Sequence, residues 1–150
     1  MKDLHEKITI GDGTKWLKVA VVDQVPLHLP TPGDTKLSTQ VEVGDFTGRG
    51  YAWIEAHHLL AFVAALRKLE ADRQGAAEIV SMSPGEFRLR VLATDNLGHL
   101  AVEGQISASG QSLEFGFSLC PSLLPGVVSQ FEMLVRGAGS PLLPADRKKT

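Results

Sequence analysis

The stretch from Glu86 to Leu119 constrains the fold most. It holds three runs of alternating apolar and polar residues, separated by two turn signals, Asp95-Asn96-Leu97-Gly98 and Ser109-Gly110. Such alternation marks a strand with one buried face. With Ser109-Gly110 as a two-residue hairpin turn, Ile106 faces Leu113, Gly104 faces Phe115, Val102 faces Phe117 and Leu100 faces Leu119. Closing the first hairpin so that Thr94 faces His99 sets Val91 against Val102, Leu89 against Gly104 and Phe87 against Ile106. Both registers put the same middle-strand residues on the core face, and a slip of one residue would turn a whole set outward. Leu89 and Phe115 are large enough to cover the gap at Gly104. The opposite face carries Arg88, Arg90, Glu103, Gln105 and Glu114, with Arg90 across from Glu103.

The next signal is helical. Leu59, Phe62, Val63, Leu66 and Leu69 fall on one face at helical spacing, which predicts a long amphipathic helix over about residues 57–74. Gly75 is placed to stop it. No Ser, Thr, Asp or Asn stands at its expected start, where His57 is nearest. A shorter helix is predicted at about 125–135, with Pro125 in its first turn and Gly137 at its end. Upstream, Lys7–Ile10, Trp16–Val22, Thr39–Val43 and Tyr51–Glu55 read as strands, with turns at Gly11–Gly13 and Gly44–Gly48. Pro26, Pro30 and Pro32 make residues 24–36 a loop. The expectation is an α+β fold, mostly antiparallel sheet of about six to eight strands, as a single domain over 1–137 with a flexible tail over 138–150. No internal repeat is visible in the sequence.

Composition narrows the function. A chain of 150 residues with 43% hydrophobic content can build a core, and a net charge of −2 gives no general pull toward nucleic acid or anionic membrane. Arg147, Lys148 and Lys149 lie at the end, so the folded body is more acidic than the total. The charged start precedes no apolar run, and no stretch approaches the roughly 20 apolar residues of a membrane span. A lone cysteine cannot form an internal disulfide, so the expected compartment is cytoplasmic.

Motifs for chemistry are missing. His57 and His58 are adjacent, and on a helix they diverge by about 100°, which argues against a shared metal. His5, His28 and His99 are scattered, so neither a metal nor a cofactor is expected. Cys120 reads as a small buried apolar residue with nothing nearby to lower its pKa. No nucleophile elbow, P-loop or dinucleotide fingerprint occurs, and the glycines at 11, 13, 44, 48 and 50 are assigned to turns. Asp45 and Glu55 are the one carboxylate pair to consider for acid–base work. A nucleic-acid platform would need aromatics among the cations. Arg88 and Arg90 lie on the face away from Phe87, Phe115 and Phe117, so neither nucleic acid nor a catalytic residue is expected.

Taken in order, Gly44-Asp45-Phe46-x-Gly48, the helix motif Leu59, Phe62, Leu66 and Leu69, Gly75-x-Ala77, Phe87-x-Leu89, Gly98-His99-x-x-Val102-x-Gly104 and Leu113-x-Phe115-x-Phe117 resemble the WapI-like small bacterial immunity proteins and their uncharacterised relatives. The resemblance spans roughly Thr39 to Val135. It implies a protein that neutralises a polymorphic or contact-dependent toxin domain by occlusion, with no catalytic residue. Arg88, Arg90, Glu103 and Glu114 are then the candidate partner-binding patch. The alternative is an accessory or small-ligand-binding domain without activity, with both monomer and homodimer open.

Overall fold

The computed structural model describes residues 7–137. Four strands come first, β1 (Lys7–Gly11), β2 (Lys15–Gln24), β3 (Thr35–Val43) and β4 (Phe46–Ile54), followed by helix α1 (Ala56–Asp72). Four more follow, β5 (Ala76–Val80), β6 (Phe87–Ala93), β7 (Leu100–Ala108) and β8 (Gln111–Leu119). A single 3-10 turn at Pro121–Leu123 leads into helix α2 (Leu124–Gly137). The strands make two antiparallel sheets of simple up-and-down order, β1-β2-β3-β4 and β5-β6-β7-β8. The α+β expectation holds. The call of a tail over 138–150 lies outside the described residues.

The meander registers read from the sequence are the observed ones, from Phe87 opposite Ile106 to Leu100 opposite Leu119. The turn at Ser109-Gly110 has positive φ at both residues, 54° and 80°, the conformation that matches strand twist in two-residue hairpins. Leu89, Val91, Val102 and Ile106 are buried as expected. A Cβ on Gly104 would stand 2.5 Å from both the Arg88 carbonyl oxygen and Phe115 Cζ, so glycine is required for that ring to cross the strand.

Three expectations need correction. Strand β5 is short and carries Ala76-Ala77, so its alternation is weak and the sequence reading passes over it. The turn after β3 is only Gly44-Asp45, because Val43 pairs with Phe46. Gly48 and Gly50 therefore belong to β4, not to a turn. Side chains there would collide with the other sheet, since a Cβ would lie 2.9 Å from Leu113 Cδ2 at Gly48 and 3.1 Å from Ile106 Cγ2 at Gly50. The two sheets meet at this glycine-lined strand. Finally, Arg73 rather than Gly75 closes α1, in the left-handed conformation with its N–H donating to the Leu69 carbonyl.

The missing cap of α1 comes from far away in sequence. Glu55 occupies the cap position without a side-chain bond. The buried Asp34 carboxylate instead accepts the Ala56 N–H at 2.9 Å. Asp34 is held at the end of the Pro-rich loop, where Val25 N–H donates to the Asp34 carbonyl and Gly33 N–H to the Val25 carbonyl. The loop thus has a defined structural role: it delivers a carboxylate to a helix start, where negative charge is favourable.

The order of four strands and a helix occurs twice. Burial along β4 and β8 follows the same rhythm, differing only at Trp53 and Ser118. Gly48 and Leu113, each third in its strand, touch one another. Phe62 of α1 meets Phe131 of α2 edge to face, with centroids 5.0 Å apart, and Arg67 pairs with Glu132 across the same helix interface. Each helix packs beside the other half's first strand, α1 by β5 and α2 by β1, where Gln130 accepts the Thr9 N–H. One edge strand of each sheet, β5 and β1, is thereby covered. The repeat is hidden in the sequence because only the burial rhythm is shared, not residue identities. One contiguous cluster of buried side chains joins both sheets and both helices.

Candidate nucleic-acid interface

Alternation along a strand sends every second residue outward. In the first sheet the outward set is Lys7 and Thr9 from β1, Trp16, Lys18 and Ala20 from β2, Lys36, Ser38, Gln40 and Glu42 from β3, and Thr47, Arg49, Tyr51 and Trp53 from β4. The register aligns them in cross-strand rows. One row is Thr9–Lys18–Gln40–Arg49, the next is Lys7–Ala20–Ser38–Tyr51, and Lys36 lies opposite Trp53 beyond it. Trp16 stands in the row with Glu42 and Thr47.

The chain contains two tryptophans and one tyrosine, and all three project from this face. Tyr51 is exposed, and both tryptophans are half-buried. Lysines lie against two of the rings, with Lys18 Nζ 4.6 Å from the Trp16 centroid and Lys36 Nζ 5.2 Å from that of Tyr51. Lys7, Lys18, Lys36 and Arg49 form no ion pair with any described residue. Two carboxylates, Asp23 and Glu42, sit at opposite ends of the face, so cations outnumber acids. From strand spacing, Tyr51 and Trp53 lie about 7 Å apart along β4, and Trp16 lies roughly 16 Å from Tyr51.

The second sheet presents the four residues singled out from the sequence. Arg88, Arg90, Glu103 and Glu114 do share its outer face. Arg88 is paired with Glu78 at 3.2 Å and Arg90 with Glu103 at 3.5 Å. No aromatic projects there. The structure therefore brings these residues together but leaves the arginines neutralised.

Other candidates fall apart or change character. Asp45 and Glu55 stand at opposite ends of β4 and cannot act as a pair. Cys120 is exposed rather than buried, because Leu119 takes the inward position before it. Its Sγ is 3.1 Å from Ser122 Oγ, and the Ser122 hydroxyl and backbone N–H hold the thiol below its ordinary pKa. His99 bonds to Asp95 at 2.6 Å within the β6–β7 turn, holding that carboxyl below the usual range. Among the described residues, no helix is long and apolar enough to cross a membrane.

No family model and no curated protein matches this sequence. Solved structures do. WHY1 from Arabidopsis thaliana superposes with a TM-score of 0.53 at 11% identity, covering 100% of both chains. The Trypanosoma MRP1/MRP2 structures give 0.47 at 14% identity over 95% of this chain and 86% of that one. The plant transcriptional regulator PBF-2 gives 0.47 at 12% identity over 100% and 92%. At such identities the WHY1 likeness establishes the fold, and the other two add nothing to it. None of these neighbours is described as an immunity protein. That finding runs against the expectation of a toxin-neutralising immunity protein, and a toxin partner is without support. The exclusion of nucleic acid is corrected as well. Its physical grounds were the small net charge and the meander face, whereas the cation-and-aromatic face belongs to the first sheet.

Proposed function

We propose that this protein binds single-stranded nucleic acid on the outer face of the β1-β2-β3-β4 sheet, as a binding protein without catalysis. One observation carries the reading: every Trp and Tyr of the chain shares that face with four cations that have no carboxylate partner among the described residues. Outward-facing rings offer stacking surfaces to unpaired bases, worth about 1–3 kcal/mol per base. Lys18, Lys36, Arg49 and Lys7 supply phosphate contacts. A base that stacks on Trp16 or Tyr51 displaces the lysine now lying against the ring, a loss of about 0.5–1 kcal/mol at an exposed site. The freed ammonium is then beside the phosphate of the stacked nucleotide. The net charge of −2 does not oppose this, because charges more than about 10 Å away are screened. Stacking accepts every base, so recognition depends little on sequence. The shared fold with WHY1 agrees with this reading.

Trp16 and Trp53 are the only tryptophans, so intrinsic fluorescence reports on the proposed face directly. Titration with a single-stranded oligonucleotide quenches that emission, and a duplex of the same sequence competes poorly. Unchanged emission at saturating oligonucleotide, or duplex binding as tight as single-strand binding, rejects the reading.

A further inference from the structure

We infer that Glu55, His57 and His58 form a binding site for a first-row divalent transition-metal ion, with zinc the best fit. The site does not depend on the nucleic-acid reading. Glu55 Oε1 lies 3.7 Å from His57 Nε2 and 3.5 Å from His58 Nδ1. One ligand atom from each residue falls within 4.8 Å of the other two. Two ligand atoms bound at about 2.1 Å to one tetrahedral zinc stand roughly 3.4 Å apart. The two carboxylate–imidazole spacings thus need only a few tenths of an ångström of closure, and the two rings need a small rotation. Both rings are exposed and free to make it, with side-chain accessibilities of 70% and 49%.

Divergence of adjacent helix positions argued against this pair, and the structure shows why that argument fails. Glu55 is not on the helix. It precedes α1 with extended backbone, φ −67° and ψ 142°, and its carboxylate turns back over the first turn within reach of both imidazoles. The rings themselves sit with centroids 4.5 Å apart. Two imidazole nitrogens and one carboxylate oxygen thus converge on one small region at the start of α1. Imidazole nitrogen with a carboxylate oxygen is a donor set that suits zinc, nickel and copper rather than magnesium or calcium. The positive end of α1 opposes a cation, and the Asp34 carboxylate on Ala56 N–H offsets that end charge. Solvent reaches the cluster from outside, which leaves a coordination position for water.

The test is titration of the tag-free full chain with zinc ion alone, with cobalt(II) absorption as a probe of ligand geometry. The expected result is one site at micromolar zinc. Glu55→Gln, His57→Ala and His58→Ala should each weaken binding by at least about tenfold, the loss usual even for a residue that merely supports a ligand. All three positions are surface-exposed or half-exposed, and circular dichroism confirms that the variants fold. His99→Ala, which breaks the separate His99–Asp95 pair, should leave the affinity unchanged. Absence of binding up to millimolar zinc overturns the inference. So does affinity that survives Glu55→Gln and His58→Ala, which would mean an adventitious ion only.

Discussion

The outer faces of the two sheets hold equivalent places in a repeated fold and carry opposite chemistry. On the first, Lys7, Lys18, Lys36 and Arg49 outnumber Asp23 and Glu42, and Trp16, Tyr51 and Trp53 stand among them. On the second, Arg88 and Arg90 are matched by Glu78 and Glu103, with Glu114 in excess and no aromatic. The inner faces differ far less, because both must fill one shared core, and β4 and β8 even bury residues in the same rhythm. Packing constrains the inside of each half alike. The outsides face only solvent and are free to diverge. A difference between two faces that the fold treats equally is therefore informative about binding in a way that either face alone is not.

The largest expected effect breaks the comparison if it fails. Replacing Trp16, Tyr51 and Trp53 together by alanine should weaken single-strand binding by about 3 kcal/mol or more, over a hundredfold, if only part of the stacking of three bases is lost. Anisotropy of a labelled oligonucleotide measures it. Arg88→Ala with Arg90→Ala should leave that affinity alone. The reverse pattern would move the site to the second sheet. Next in size is Asp34→Ala, which removes the remote cap of α1 and should cost about 1–2 kcal/mol of stability in urea unfolding. Oligonucleotide affinity of the folded variant should persist, which separates support of the fold from contact with the ligand.

These two predictions also mark how far the sequence could be read. The meander was legible to the residue, because alternation and the Ser109-Gly110 turn fix a register with no competing solution. The body of α1 was legible from its apolar stripe. Its cap was not, since Asp34 lies 22 residues from Ala56 and no local pattern announces such a contact. The composition of the first sheet's outer face was within reach but overlooked. Trp16-Leu17-Lys18 and Arg49-Gly50-Tyr51-Ala52-Trp53 each alternate cations or aromatics with small or apolar residues, which signals a charged outer face. Reading Gly44–Gly48 as one turn cut β4 short and hid the alignment of Arg49 with Lys18 through Gln40. The repeat was beyond the sequence, because Gly50 and Phe115 occupy the same position with opposite volumes.

Salt dependence sharpens the comparison at the level of single charges. Four phosphate contacts predict a slope of log affinity against log salt near −2.8, taking about 0.7 per contact for a single strand. Lys18→Ala should flatten that slope by roughly 0.7. A slope that stays steep would mean that Lys18 lies outside the path of the strand.

The smallest effect belongs to the second sheet. Arg90→Ala removes a cross-strand pair with Glu103 in which both side chains are well exposed, 39% and 46%. Such a pair contributes only about 0.2–1 kcal/mol, because water already screens it. Thermal unfolding should therefore shift slightly downward, and the loss should shrink further in high salt. Oligonucleotide affinity and its salt slope should both stay as they were. Lys18 and Arg90 are cations at comparable places on equivalent sheets, yet one should change binding without stability and the other stability without binding. If Arg90→Ala changed the salt slope as Lys18→Ala does, the two faces would share the ligand, and the contrast between them would describe composition rather than function.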